Sequence, residues 1–176
     1  MRTALAAGGL LLRPFRASDA PALIEVHRDP VLRRYVRDRV TGPDEAARWL
    51  ETEDRGRREG ARYSFAVLAE GVLVGQVVLK RGAPGGAGSE VGYWTAAAAR
   101  GRGVAPRALA ALTAWAAETF AADGLVRLDL FHEGDNTASC RVAEKTGYPF
   151  EGLVPAAPPR YPLDGHWHSR PVGATG

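Results

Sequence analysis

Six consecutive residues, Arg100-Gly101-Arg102-Gly103-Val104-Ala105, join two glycines to two arginines, and Arg107 follows closely. Glycine lets a backbone turn tightly and approach a ligand, because no Cβ intervenes. Guanidinium groups present forked donors that match phosphate oxygens. Residues 89–95 before this stretch read as a strand and residues 106–118 after it as a helix. The helix would aim its unpaired N–H groups and the positive end of its dipole into the turn, where an anion is stabilised. This is the chemistry of phosphate binding. No Gly-Lys-Ser/Thr follows, so the turn is not a P-loop, and the third glycine of the dinucleotide fingerprint is absent. A plain helix cap with solvated arginines is the competing reading of these residues alone.

Composition narrows the field. A chain of 176 residues predicts one domain spanning 1–176, with 45% apolar and 24% charged residues, as in ordinary soluble proteins. The net charge is +3. Its basic residues are interspersed with acids, as where Arg37 and Arg39 flank Asp38, and no aromatic stacking motif accompanies them, so nucleic acid is not the expected partner. The single cysteine, Cys140, excludes an intrachain disulfide and belongs to no sequence motif for a metal, so no metal is expected. No apolar run approaches the ~20 residues that span a bilayer. The start of the chain, residues 1–12, has a faint signal-peptide character, but its apolar segment is broken by Gly8-Gly9 and then by Arg13-Pro14, and no cleavage site follows. The expectation is a cytoplasmic protein without a membrane partner.

The elements that must position the turn follow in order. Residues 10–14 predict a first strand. Ser18-Asp19 offers caps for a helix over 20–27, which Asp29-Pro30 breaks, and a short helix over 31–36 follows. Thr41 or Asp44 caps a further helix, whose charged end, 51–60, is expected on a solvated face. Residues 63–69 and 72–80, joined by Glu70-Gly71, predict a β-hairpin. Residues 82–88 read as a flexible connection. Leu109, Leu112, Trp115 and Ala116 mark one apolar face of the helix after the turn. Residues 125–131 predict a strand, 133–136 a turn, and 137–145 a helix closed by Gly147. Late strands are expected at 150–154 and 167–172. Together these predict a single α/β (α+β) domain built on a mostly antiparallel sheet.

With these elements in order, the chain resembles the GNAT (Gcn5-related) N-acetyltransferases over nearly its whole length. The family's Gln/Arg-x-x-Gly-x-Gly/Ala motif is similar to Arg100-Gly101-Arg102-Gly103-Val104-Ala105. A second block, Asn136-Thr137-Ala138-Ser139 through Lys145-Thr146-Gly147-Tyr148, is similar to the family's N-x-x-S…K-x-G-F pattern. Residues 11–20, the Glu90-Val91-Gly92-Tyr93-Trp94 strand and Phe150-Glu151-Gly152 resemble the RimJ/RimL branch. Asp164-Gly165 also fits, whereas the residues around His168-Ser169 depart from the pattern and put the last strand's edge of the cleft in question.

The resemblance implies a central mixed, mostly antiparallel sheet flanked by helices, with a V-shaped splay between the parallel strands carrying Glu90 and Asp129. It implies acetyl-CoA as acyl donor, its pyrophosphate on the N–H groups of Arg100, Gly101, Arg102, Gly103, Val104 and Ala105. The pantetheine arm would meet main chain at Trp94 and Ala96, and Asn136 would hydrogen-bond it. It implies a primary amine acceptor, either a protein N-terminus or a small molecule, and allows a homodimer. Amide formation needs a neutral amine, and Glu90, ten residues before Arg100, is the implied base. Asp129, Glu133, Glu151 and His132 are other proton acceptors within reach in sequence. The family's usual tyrosine acid falls at Ala143, which leaves Ser139 as the candidate for protonating the thiolate. Cys140 has no partner evident in sequence to activate it, so direct transfer in a ternary complex is expected over an acyl-cysteine. A non-catalytic acyl-CoA-binding module on the same fold is the alternative. Tyr35, Trp49, Tyr63 and Trp94 are candidates to line an acceptor pocket.

Overall fold

Gly8 and Gly9, both with positive φ, fold the short strand β1 (Leu5–Ala7) back onto β2 (Leu10–Pro14). This corrects the reading of residues 1–12 as a broken apolar run: the diglycine is a hairpin turn, the conformation such a pair suits. The computed structural model describes residues 4–82, 88–159 and 161–172. Most of the connection expected at 82–88 therefore lies outside the described residues. In chain order there follow α1 (Ala20–Val26), α2 (Pro30–Tyr35), α3 (Pro43–Arg58), β3 (Arg62–Ala69), β4 (Val72–Arg81) and β5 (Gly88–Thr95). Then come α4 (Val104–Phe120), β6 (Arg127–Glu133), α5 (Thr137–Lys145), β7 (Phe150–Val154) and β8 (Gly165–Pro171).

The eight strands form one sheet in the order β1-β2-β3-β4-β5-β6-β8-β7. Every pair is antiparallel except β5 with β6, which α4 connects as a crossover. Glu70 and Gly71 make the β3–β4 turn with positive φ at both positions. Asp29 caps α2 by accepting from the N–H groups of Val31 and Leu32, with Pro30 at the first position, where a missing N–H costs least. The cap of α3 is Gly42, not Thr41 or Asp44; Thr41 instead hydrogen-bonds the Glu45 carboxylate.

Alternation along the strands sends side chains to two cores. On one face α4 buries Leu109, Leu112, Trp115 and Ala116. Trp115 meets Tyr63, Phe65 and Phe120 at centroid distances of 5.2–5.5 Å. On the other face α1, α2 and α3 cover Ala66, Leu68, Leu73 and Trp94. The charged end of α3 is not wholly solvated: Glu53 is buried, accepts from Arg62 Nε at 2.7 Å and bonds the Ser64 hydroxyl. A burial of that kind is tolerated because the carboxylate is paired.

Candidate active site

Pairing between β5 and β6 stops at Val91↔Leu130. Beyond it, Gly92–Thr95 pairs only with β4, and Phe131–Glu133 pairs only with β8. The two parallel strands thus part inside a continuous sheet and leave a wedge whose walls are main chain. Glu90 and Asp129 are opposite one another at the foot of this wedge.

The Gly-rich turn stands at one end of the wedge. Gly101 has φ +73° and Gly103 φ +70°, left-handed values that other residues reach only with strain. Gly103 is the N-cap of α4, whose first N–H groups have no carbonyl four residues earlier to receive them. A Cβ on Gly101 would meet no atom within 4 Å, and one on Gly103 only Arg107 Nε at 3.9 Å, so space opens in front of both. An open groove of about 860 Å³ runs from Gly103 past Arg107 to Lys145 and Arg170.

The arginines are more engaged than their spacing predicts. Arg100 is ion-paired with Asp29 at the cap of α2. Burial alone would raise the Asp29 carboxyl, but Arg100 and the two capping N–H groups outweigh it and hold it below its ordinary value. Arg107 folds back onto the carbonyls of Gly103 (3.0 Å), Arg102 (3.0 Å) and Gly8. Arg102 is exposed and enters no ion pair among the described residues. Val104 is buried in the core beneath the turn, so it can offer the site only main chain. Pro106 has no N–H, which leaves Ala105 as the last donor before it.

At the wedge, Trp94 is buried against the α1–α3 side, edge-on to His27. Its main chain is turned toward Gln76 on β4, so the β5 main chain that faces the opening is that of its neighbours Tyr93 and Thr95. The Ala96 N–H already donates to Val74 O at 2.9 Å, and the Ala96 carbonyl accepts from Ala99 N. Asn136 caps α5 through Oδ1, which accepts from Ser139 N at 3.2 Å; its amide N–H donors are not used by that cap. Ser139 is half-buried, and its carbonyl receives the Tyr93 hydroxyl at 3.4 Å. Burial pushes the Tyr93 phenol up to about 12. Tyr93 therefore stays protonated and joins β5 to α5 across the wedge. The sequence reading missed this residue, although a tyrosine on the strand opposite the Asn136 block is a visible signal.

Glu90 lies on the α1–α3 face, half-exposed, in an ion pair with Lys80, its partner on β4. Glu133, at the tip of β6, is buried and paired with Arg37 at 2.9 Å. Asp129 accepts from Trp167 Nε1 at 2.9 Å and Arg127 Nε at 3.0 Å. Glu151 is exposed on β7, away from the fork. Arg34 pairs with Asp135, so α2 and the residues after it reach over the end of β6. Of the aromatic candidates, Tyr63 belongs to the α4 core, and Trp49 packs on Phe15 at 4.8 Å. Tyr35 lies beneath the Arg34 guanidinium.

The expectation that Cys140 has no partner is overturned. Its Sγ lies 3.2 Å from His166 Nδ1 and 3.6 Å from His132 Nε2, and His168 completes the cluster. The partners come from two strands distant in sequence, which no local motif reveals. Burial raises the Cys140 thiol, with Glu144 adding to the effect.

Against known proteins, the model of the acetyltransferase (GNAT) domain matches residues 9–149. A search of curated proteins finds no match. Among solved structures, RimL, a ribosomal L7/L12 alpha-N-protein acetyltransferase in complex with coenzyme A, superposes with TM-score 0.86 at 20% identity, covering 96% of this chain and 97% of that one. In that complex CoA is joined by a disulfide to a cysteine. RimJ of Mycobacterium smegmatis with CoA-disulfide gives TM-score 0.76 at 22% identity, covering 96% and 85%. The microcin C7 self-immunity acetyltransferase MccE, with acetyl-CoA and AMP, gives 0.82 at 15%, covering 93% and 92%. The fold is the one RimL and RimJ share, and by its match over residues 9–149 the chain belongs to the GNAT acetyltransferase family.

Proposed function

We propose that this single domain transfers an acetyl group from acetyl-CoA to a primary amine, by direct attack within a ternary complex. The observation that carries this reading is the fork: β5 and β6 part after Val91 and Leu130, beside a helix N-terminus preceded by two left-handed glycines. A diphosphate fits the N–H groups of residues 100–105, with Arg102 and the basic groove of Arg107, Lys145 and Arg170 beside it. A pantetheine arm, itself a chain of amides, fits the unpaired main chain of the wedge near Trp94, with the Asn136 amide donating to it. The carbonyl of Ala96 has capacity for one further bond, whereas its N–H does not.

The acceptor enters from the α1–α3 face. Glu90 takes a proton from the ammonium, directly or through water, and must share or release Lys80 to do so. The amine nitrogen then attacks the thioester carbonyl carbon, the C–S bond breaks, and the CoA thiolate leaves with a proton supplied by Ser139 or by solvent. Direct transfer needs no acyl-cysteine, and Cys140 is given no part in it. The acceptor is a protein N-terminus, as for RimL, or a small molecule.

One observation favours the alternative of a non-catalytic acyl-CoA-binding module: Glu90 and Glu133, two carboxylates at the fork, are both ion-paired. Thermal unfolding with and without acetyl-CoA tests the cofactor site, and CoA release over peptide N-termini and small amines tests transfer. A raised midpoint with release from at least one amine class is expected. No rise at millimolar acetyl-CoA would overturn the reading; a rise without release from any amine would leave the binding module.

A further inference from the structure

Three of the four histidines in the chain and its single cysteine converge at one place, under α5 and against β6 and β8. His132 on β6 is directly opposite His166 on β8, and His168 lies two residues on, on the same face of that strand. Cys140 reaches down from α5. The four candidate ligand atoms all lie within 4.8 Å of one another.

Hydrogen bonding fixes where the ring protons are. His132 Nδ1 lies 2.8 Å from the Glu133 carbonyl, and His168 Nδ1 lies 3.1 Å from the Tyr148 carbonyl. A carbonyl only accepts, so both Nδ1 atoms carry hydrogen, and in neutral rings both Nε2 atoms are bare lone pairs. Those two Nε2 atoms face each other at 3.2 Å. Neither has a proton to give the other, so the contact calls for something electrophilic between them. Sγ of Cys140 and Nδ1 of His166 aim at the same point.

From this geometry we infer that His132, Cys140, His166 and His168 form a binding site for a zinc-class divalent cation. Zinc takes N and S ligands at about 2.0–2.1 and 2.3 Å, which in a tetrahedron sets ligand atoms about 3.3–3.8 Å apart. Three of the six separations, at 3.2, 3.2 and 3.6 Å, are close to that spacing, and the others, none above 4.8 Å, would draw in on binding. The ligand atoms are three imidazole nitrogens and one sulfur, which suits zinc over magnesium or calcium. The carbonyls of Glu133 and Tyr148 supply the outer hydrogen bonds that orient metal-ligating imidazoles. Phe150 packs edge-on to His166 and His168, at 5.2 and 5.7 Å, and shields the site on its β7 side. Four protein ligands close the coordination sphere, so the ion is a clamp and not a Lewis acid for substrate. It ties α5, and with it the Asn136–Ser139 cap, to β6 and β8, and it holds the Cys140 sulfur as a ligand.

The test uses the full chain without an added histidine tag, stripped with a chelator and titrated with cobalt(II). Expected are tetrahedral cobalt absorption and a thiolate-to-cobalt charge-transfer band that saturate at about one equivalent and are displaced by zinc. Cys140→Ser should remove the charge-transfer band, and His166→Ala should weaken binding at least about tenfold. Wild-type protein alone supplies a second reading: one equivalent of zinc should slow alkylation of Cys140 and raise the melting midpoint. The inference is overturned if wild type shows only weak octahedral cobalt absorption, if both variants bind as wild type does, or if zinc leaves the alkylation rate unchanged.

Discussion

Gly101, Gly103 and Gly124 provide a matched set for testing the phosphate turn. Their φ values are +73°, +70° and +80°, and an added Cβ meets nothing closer than 3.9 Å at any of them. Alanine at each therefore costs the same kind of energy, about 1–2 kcal/mol for a left-handed L-residue, with no clash. At about 2–4 °C per kcal/mol for a domain of this size, each variant should melt about 2–8 °C below wild type. Gly124 follows the far end of α4, whose 17 residues span about 25 Å. Acetyl-CoA at about a hundred times its Kd adds about 2.7 kcal/mol, a rise of about 5–11 °C. Gly124→Ala should keep that rise in full. Gly101→Ala and Gly103→Ala should lose most of it, because their methyl groups stand where the diphosphate must approach the N–H groups. Differential scanning fluorimetry over a range of acetyl-CoA concentrations reads both quantities at once. Equal ligand-induced shifts in all three variants would refute the placement of the diphosphate.

Other expectations are more local. Glu90→Gln should lower the rate of CoA release near neutral pH and recover as pH rises and the acceptor amine loses its own proton; a pH–rate profile parallel to wild type would remove Glu90 from the mechanism. Asp19 accepts two bonds from Arg13, at 2.7 and 2.8 Å, and one from Arg16 N, so Asp19→Asn should cost about 3 kcal/mol by urea unfolding. Burial would raise the Asp19 carboxyl, but those bonds outweigh it and lower it. Its contribution is therefore complete above an unfolded value of about 4 and disappears as pH falls through the depressed folded value, so the variant should show a shallower acid dependence. Tyr148→Phe removes a buried bond of 2.6 Å to Thr113, whose hydroxyl keeps Leu109 O as acceptor. A loss of about 1 kcal/mol, or about 2–4 °C, with unchanged acetyl-CoA shift is expected; a larger loss would show that Thr113 depends on the phenol.

Much of this was legible in the sequence because the signals are local. Alternation over residues 63–80 around Glu70-Gly71 reads as a hairpin, and Gly103 reads as a helix entry, without tertiary knowledge. The strand β1 was missed because three residues carry too little periodicity; only pairing with β2 makes them a strand. Arg100 looked free for a phosphate because its partner, Asp29, lies 71 residues earlier. The histidine cluster was hidden for a similar reason. His166 and His168 share a face by their spacing, but His132 joins them only through the β6–β8 register, and Cys140 only through the docking of α5. The arrangement of side chains around the fork depends on register and docking, which sequence spacing does not encode.

The parting of β5 and β6 also has a meaning for aggregation. Unpaired strand edges recruit other strands, and proteins ordinarily blunt them at the margins of a sheet. Here two such edges lie in the interior of the sheet, facing each other across a gap that narrows to nothing at Val91 and Leu130. A gap that closes at one end has no room for a strand paired to both edges along its length, whereas an edge at the margin of a sheet is open over its whole length. The edges that part to form the fork are thus the ones least open to a neighbouring molecule's strand, although they carry unpaired main chain.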